Sequence, residues 1–286
     1  MKAIPSFLYG FKASVKSVRM ILLIYLSYLV IALLLAIPFF GLFRSAAGNS
    51  QLPGSLMNGF DATAIRELLA SGGKMFAFYL KAFVPWIFIF LLFQIYLNGG
   101  ILSWVSNPRG KFSINRFHTN GRKFFWRFLK LTVYFIIIHL IICLIIYLPY
   151  SLITGSGSGL TDRQVMNPLF IYAGVHAVVL VFVFMWSDMA KSGLYREDSS
   201  KVLKTIFRSL KIAFRRFFSF YFLGLLLLII PTLAFIGFYL IRSGLVVNTT
   251  GMILIVFVLQ QVLVLIRVIF RTWRLAAVYR YQLKVY

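Results

Sequence analysis

The stretch from Val202 to Ile241 decides the fold class, because a basic segment there runs directly into an apolar one. Residues Val202–Arg216 read VLKTIFRSLKIAFRR, and residues Phe217–Ile241 read FFSFYFLGLLLLIIPTLAFIGFYLI. The second part has no charged side chain and exceeds the roughly 20 residues with which a helix crosses the hydrocarbon core of a bilayer. The first part repeats Phe and cations at helical spacing, which is typical of a helix in the headgroup plane. The stretch therefore predicts an interfacial helix followed by a membrane-spanning one.

The composition of the whole chain also indicates a membrane protein. Of its 286 residues, 61% are hydrophobic and 13% are charged, with 30 Lys and Arg against 6 Asp and Glu. Soluble domains average about 45–50% apolar and about 25% charged residues. The 31 Phe and 15 Tyr exclude a disordered chain, and a soluble nucleic-acid binder would not need so much apolar sequence. The single cysteine, Cys143, excludes an intrachain disulfide and a cysteine-rich metal site.

Six stretches are long and apolar enough to span a bilayer. They predict an all-α fold: one polytopic bundle of transmembrane helices that forms a single domain over residues 1–286. The outer loop before the second stretch contains DATAIRELLA, which predicts a short surface helix with Asp61 as its N-cap. The six stretches are Met20–Phe43, Phe76–Val105, Phe128–Ile153, Pro168–Ser187, Phe217–Ile241 and Gly251–Phe270.

The distribution of basic residues predicts the orientation of these spans. The two termini and the even-numbered connections, with the adjoining span ends, hold 24 of the 30 Lys and Arg. Basic residues stay on the cytoplasmic side of a membrane during insertion. We therefore expect both termini in the cytoplasm of a cell whose plasma membrane holds the protein, and we expect a bacterial inner membrane.

A threefold pattern runs through the chain. Basic amphipathic segments, which we call the lead-ins, precede the odd-numbered spans, and similar short sequences, which we call the closing ends, complete the even-numbered spans. The pattern predicts three copies of one unit, over residues 1–108, 109–199 and 200–286. The lead-ins are Pro5–Arg19, Ser113–Arg127 and Val202–Arg216, and the closing ends are Gly99–Trp104, Gly193–Arg196 and Ala277–Arg280.

Each lead-in is expected to present one apolar and one basic face. Apolar residues recur seven positions apart, as in Phe207 and Phe214, and so share a helical face. The equivalent pairs are Phe11 with Val18 and Phe117 with Phe124. Such helices predict contact with anionic lipids or an acidic partner, although a basic flank of a membrane span has the same composition. The predicted contact residues are Lys12, Lys16, Arg19, Arg122, Lys123, Arg208, Lys211, Arg215, Arg216, Arg271 and Arg274.

Five polar residues lie near the middle of the predicted spans, namely Gln94, His139, His176, Gln260 and Gln261. His139 and His176 are at similar depth in neighbouring antiparallel spans, so we expect them to be able to meet. Such residues serve either interhelical hydrogen bonding or function, such as a polar cavity or two axial ligands of a haem or another tetrapyrrole. Cys143 lies one turn from His139, but an isolated His–Cys pair favours packing, and we expect no metal and no cofactor.

Signatures of catalysis are missing from the sequence. No Asp or Glu lies within the middle of a span, where ion-coupled transporters usually carry a carboxylate. Neither the H-E-x-x-H nor the G-x-S-x-G motif occurs, nor does a phosphate-binding glycine motif. Asp188 lies one turn before Lys191, which predicts a local ion pair. We therefore expect a protein that is not an enzyme.

Basic lead-ins such as SLKIAFRRFF, together with the closing ends Gly193–Arg196 and Ala277–Arg280, resemble those of bacterial six-span inner-membrane families of unknown function. These families include the membrane domain fused to some glycerophosphodiester phosphodiesterases. The resemblance covers nearly the whole chain through short motifs. Since the catalytic barrel of those enzymes has no counterpart here, the resemblance implies a membrane module that works near lipids and transfers no catalytic residue.

Three functions follow from these observations. The first is a scaffold or lipid-handling role through the basic cytoplasmic face, with anionic lipids and a cytoplasmic or membrane protein as partners and no nucleic acid. The second is a transporter or permease-like component with a polar cavity in the middle of the membrane. The third is a tetrapyrrole-binding subunit that uses His139 and His176.

Overall fold

The computed structural model describes residues 2–47, 61–108, 110–155, 161–246 and 249–285. Every regular element within these ranges is an α-helix, which confirms the predicted fold class. The helices are α1 (Ala3–Val15), α2 (Val18–Ala47), α3 (Ala62–Val105), α4 (Ile114–Gly155), α5 (Asp162–Arg196), α6 (Val202–Arg215), α7 (Phe217–Ser243) and α8 (Thr250–Val285).

Six of these helices, α2, α3, α4, α5, α7 and α8, contain segments long and apolar enough to cross a membrane, as predicted. Their outer surfaces carry large apolar side chains. In α4, for example, Leu140 and Leu144 are each 61% exposed. A soluble protein of this size would bury such a surface, whereas a bilayer covers it. The chain is therefore an integral, multi-pass membrane protein.

The predicted break between a surface helix and the second span is absent from the structure. The segment DATAIRELLA is not a separate surface helix, because α3 continues from Ala62 through the second span. Asp61 does cap this helix, since its Oδ1 accepts a hydrogen bond from the backbone N–H of Thr63 at 2.9 Å. Helical spacing in this segment also predicts Leu68 and Leu69 on one side of the helix, and their side chains lie outside the part of the chain that the structure describes.

The lead-ins also take two forms. The first and third form helices of their own, α1 and α6, which end before α2 and α7 begin. The second is the first part of α4 and continues into the span without a break. The lead-ins also differ in which residues they bury, because Phe117 and Phe124 are 1% and 2% exposed. Phe207 and Phe214, their counterparts in α6, are 67% and 60% exposed.

The described residues form two compact units. The first unit contains residues 1–17, 95–229 and 270–286, and the second contains residues 18–94 and 230–269. Within the first unit, the closing ends of α3, α5 and α8 are largely buried. Ile101, Leu194 and Val278, one from each closing end, are all fully buried.

Each closing end in the first unit packs against a lead-in at very short range. A Cβ atom on Gly100 would lie 2.5 Å from the ring of Phe117, and one on Gly193 would lie 3.0 Å from Thr205 Cγ2. A Cβ atom on Gly10 in α1 would lie 2.9 Å from the Cβ of Ala277. Only glycine permits backbones to approach so closely. The contacts therefore join α3 to α4, α5 to α6, and α8 to α1.

A hydrogen bond from an aromatic side chain accompanies each of these contacts. The hydroxyl of Tyr96 is 2.5 Å from Nδ1 of His118. The indole N–H of Trp186 donates to the carbonyl of Ile206 at 3.1 Å. The indole N–H of Trp273 in α8 donates in the same way to the carbonyl of Phe7 in α1. Every lead-in is thus held by both close packing and a polar contact.

Candidate functional site

A buried ionic group lies among the closing ends, and we call it the polar cluster: Asn98, Asp188, Lys191, Arg271 and Arg274. The carboxylate of Asp188 is 1% exposed and forms ion pairs with Lys191 at 2.8 Å and with Arg274 at 2.6 Å. Arg271 donates a hydrogen bond to Oδ1 of Asn98 at 2.8 Å. The predicted pair of Asp188 with Lys191 is confirmed, while the contribution of α8 was not anticipated.

The polar cluster contains three cations and one carboxylate, so its own charge is positive. Burying an ion is costly unless partners surround it, and here the partners come from α3, α5 and α8. Arg271 and Arg274, which the sequence placed among the lipid contacts, are thereby engaged with side chains of other helices. Of the two, Arg274 remains 39% exposed.

Two further acidic residues hold the segment between α5 and α6. Asp198 pairs with Lys123 and, at 2.6 Å, with Arg127, both from α4. These hydrogen bonds keep the pKa of Asp198 below its usual value, because they favour the ionised carboxylate. Glu197 accepts a hydrogen bond from Arg208 of α6 at 2.8 Å. Lys123 and Arg208 therefore have acidic partners on the protein itself.

The side chains of α6 form three parallel rows along the helix. One row is buried and holds the helix to the first unit: Val202, Thr205, Ile206, Ser209 and Ala213. The second, which we call the apolar stripe, consists of Leu203, Phe207, Leu210 and Phe214, of which all but Leu210 are exposed. The third, the basic stripe, consists of the exposed residues Lys204, Arg208, Lys211 and Arg215. Because the stripes are offset by one residue, they lie side by side on the outer surface.

The α1 helix presents a similar outer surface. Leu8 and Phe11 are 51% and 45% exposed, and Val15 is 55% exposed. The predicted contact residues Lys12 and Lys16 follow two of these positions and are also exposed. The remaining predicted contact residues with exposed side chains are Arg19, Arg122, Lys123, Arg208, Lys211, Arg215 and Arg216.

The polar residues at mid-span divide into two kinds of contact. In the second unit, Gln94 accepts a hydrogen bond from the hydroxyl of Tyr28 at 2.8 Å. Gln261 accepts one from Tyr25 at 3.0 Å, while Gln260 is exposed. The contacts of Gln94 and Gln261 correspond to the interhelical hydrogen bonding considered for them, and α2 supplies both tyrosines.

The other mid-span polar residues meet within the first unit. The rings of His139 and His176 are 5.2 Å apart between centroids and nearly perpendicular. The Sγ atom of Cys143 is 3.6 Å from Nε2 of His139. One potential ligand atom from each of the three side chains lies within 4.8 Å of the others. We call these residues the imidazole–thiol cluster.

Sequence reasoning treated the two halves of this cluster separately. It paired His139 with His176 by depth and His139 with Cys143 by helical spacing, and it expected no metal. The two relations together were the available signal, because both involve His139. The partners of Asp188 on α8 were harder to predict from the sequence, because no local spacing links residues so far apart in the chain.

Comparison with protein-family models, with curated proteins and with solved structures found no match to this chain.

Proposed function

We propose that this protein is a non-enzymatic component of a bacterial plasma membrane that binds anionic phospholipid through its basic face, in a scaffold or lipid-handling role. The observation that carries the proposal is the outer surface of α6, where the apolar stripe and the basic stripe lie next to each other. The buried row of the same helix fixes its orientation, so both stripes point away from the first unit.

The apolar stripe and the basic stripe match two layers of a membrane surface, the boundary of the acyl chains and the phosphate headgroups. Exposed Phe207 and Phe214 have the length and polarity to enter the boundary between headgroups and acyl chains. The cations beside them, such as Lys211 and Arg215, then lie at the level of the phosphates. Each Lys or Arg near an anionic membrane surface contributes about 1 kcal/mol of attraction.

The contacts between closing ends and lead-ins support a fixed array of such helices. Each closing end holds the lead-in that follows it, and the last closing end holds α1. This succession is what the proposed three-unit repeat would produce, since equivalent ends would form equivalent contacts. A membrane module of this kind also fits the resemblance to bacterial six-span inner-membrane families.

The test is a charge reversal of the basic stripe, Lys204→Glu, Lys211→Glu and Arg215→Glu together, followed by mass spectrometry of the phospholipids that co-purify in mild detergent. Arg208 is left in place because it pairs with Glu197. We expect the variant to lose most of its bound anionic phospholipid and to keep its zwitterionic phospholipid.

A matched control reverses three exposed basic residues on the predicted outer side, Arg44→Glu, Arg66→Glu and Arg163→Glu. It changes the net charge of the protein by the same amount. If both variants retain the anionic lipid, the basic stripe does not bind it. If both lose it equally, net charge alone is responsible, and the proposal for α6 is wrong.

The tetrapyrrole alternative has one observation in its favour, the proximity of His139 and His176. Their rings contact each other, so a macrocycle between them requires the two helices to separate. An absorption spectrum of the purified protein tests this alternative directly, because a bound haem gives a Soret band. The permease-like alternative, which places a polar cavity in the same mid-span region, stays a prediction.

A further inference from the structure

We propose that the imidazole–thiol cluster is a binding site for Cu(I), with His139 and Cys143 of α4 and His176 of α5 as its three ligands. The inference is independent of the lipid-binding proposal, because it concerns a different part of the first unit.

The three side chains form a suitable donor set. Imidazole nitrogen and thiolate sulfur are the ligands that soft and borderline cations such as Cu(I) and Zn(II) prefer. Around one such ion, nitrogen and sulfur ligand atoms lie about 3.3–3.8 Å apart, given bonds of about 2.0 Å and 2.3 Å. The 3.6 Å between Sγ of Cys143 and Nε2 of His139 already matches this separation. The ligand atoms of the three side chains all lie within 4.8 Å of one another, so binding requires the more distant ones to move closer to a shared ion.

A buried polar atom in the cluster supports a ligand as well. Nδ1 of His176 is inaccessible and has no hydrogen-bond partner among the described residues. Buried polar atoms without a partner are rare and often mark an ion or a water molecule. The His176 ring also contacts the ring of Tyr147, with centroids 5.4 Å apart, which restricts the rotation of this imidazole.

The net charge of the occupied site favours Cu(I) over Zn(II). One thiolate and two neutral imidazoles carry a single negative charge, so Cu(I) gives a neutral site and Zn(II) leaves a positive one. A net charge is costly within a bilayer. The carboxylate of Asp188 does not compensate it, because twelve residues of α5 separate Asp188 from His176, about 18 Å along the helix axis. No other Asp or Glu of the sequence lies in the middle of a span.

Coordination number favours Cu(I) too. A structural zinc site takes four protein ligands, and the cluster offers three. Binding displaces one proton, because the thiol of Cys143 must become a thiolate to coordinate the ion. The copper stays in the Cu(I) state throughout, so no oxidant or reductant takes part in the binding step.

The experiment loads the full-length protein in detergent with Cu(I) under anaerobic, reducing conditions and removes loose metal with a chromophoric Cu(I) chelator. We expect one copper per chain to remain. The variants Cys143→Ser and His176→Gln should each lose it. His118→Gln is the matched control, because His118 is the one other histidine of the chain, and this variant should keep its copper.

A second measurement uses the unsubstituted protein and does not depend on the folding of a variant. Cys143 is the single cysteine of the chain, so N-ethylmaleimide labels one site, and bound Cu(I) should suppress that labelling. Copper retention in Cys143→Ser, or unchanged labelling in the presence of Cu(I), would overturn the site. Retention of Zn(II) in place of Cu(I) would overturn the argument from charge, and a Soret band would assign the histidines to a tetrapyrrole instead.

Discussion

The indole N–H of Trp273 donates a hydrogen bond to the backbone carbonyl of Phe7 at 2.8 Å, which ties the first helix of the chain to the last. The two rings also lie against each other, with centroids 4.8 Å apart. Gly10, one turn further along α1, packs on the same indole. A short helix at the start of the chain is thereby held at a fixed place on α8.

Substitution of Gly10 tests this attachment. In Gly10→Leu, the new Cβ would lie 2.6 Å from Cδ1 of Trp273 and 2.7 Å from its carbonyl oxygen. Because a backbone atom cannot rotate away, α1 must shift, and overpacking of this kind costs about 2 kcal/mol. We expect a lower midpoint of unfolding in detergent and faster proteolysis within α1.

The control is Gly174→Leu, at a helical glycine with no heavy atom within 4 Å of a built Cβ among the described residues. This substitution has the same helix propensity and should leave the unfolding midpoint unchanged or raise it slightly. Equal effects of the two substitutions would show that α1 does not depend on close contact with Trp273.

Neutralising Asp188 should destabilise the first unit. In Asp188→Asn, the side chains of Lys191 and Arg274 lose the carboxylate that they share, and Lys191 is only 14% exposed. Removing one partner of a buried ion pair costs about 3–5 kcal/mol. We expect a large fall in the midpoint of thermal unfolding, partly reversed by Arg274→Gln in the same chain. Asp198→Asn, at an exposed ion pair, should change the midpoint much less.

The ion pairs of Asp198 should also make the stability of the segment between α5 and α6 depend on pH in the acidic range. Its pKa lies below the usual 3.8 because Lys123 and Arg127 donate hydrogen bonds to the carboxylate. The stabilisation that these ion pairs give to the folded protein is therefore complete above the usual pKa of Asp198. It is lost as the pH falls through the lowered pKa that Asp198 has in the folded protein. The protection of amides in the segment between α5 and α6, taken as the intrinsic exchange rate at each pH divided by the observed rate, should therefore fall over that range.

Asp198→Asn provides the control for this pH dependence. The backbone φ of residue 198 is 46°, in the left-handed region, which Asn adopts about as readily as Asp. The variant removes the charge and keeps the backbone conformation. Amide protection in the segment should then be low at every pH, and a persistent acid-dependent loss of protection would assign the titration to another group.

The sequence predicted the helices well and their contacts poorly, for a physical reason. A span is recognisable because bilayer thickness sets its length, so Phe217–Ile241 was identified almost as the structure has it. The heptad of Phe117 and Phe124 correctly placed both residues on one face of a helix. It could not show that this face is buried while that of Phe207 and Phe214 is exposed, because burial depends on which helix lies opposite.

The orientation of the spans remains a prediction that one labelling experiment checks. In a Cys143→Ser background, single cysteines replace Thr161, which precedes α5, or Lys201, which precedes α6. Both positions are exposed. The excess of basic residues places Thr161 outside and Lys201 in the cytoplasm. A membrane-impermeant maleimide should label only the Thr161→Cys protein in intact cells and both proteins in opened membranes. The reverse pattern would invert the topology.

The depth of α6 distinguishes a lipid-facing helix from one that lies in water. A spin label at Phe207→Cys, in the same Cys143→Ser background, should collide more often with oxygen, which concentrates in the bilayer, than with a water-soluble nickel chelate. The matched label at Lys211→Cys, on the basic stripe, should show the opposite preference, because the cations are expected at the headgroup level. Both positions are exposed on the protein, so burial does not account for a difference. If the two labels respond alike and favour the nickel chelate, the apolar stripe does not enter the membrane, and the lipid-binding role of α6 is excluded.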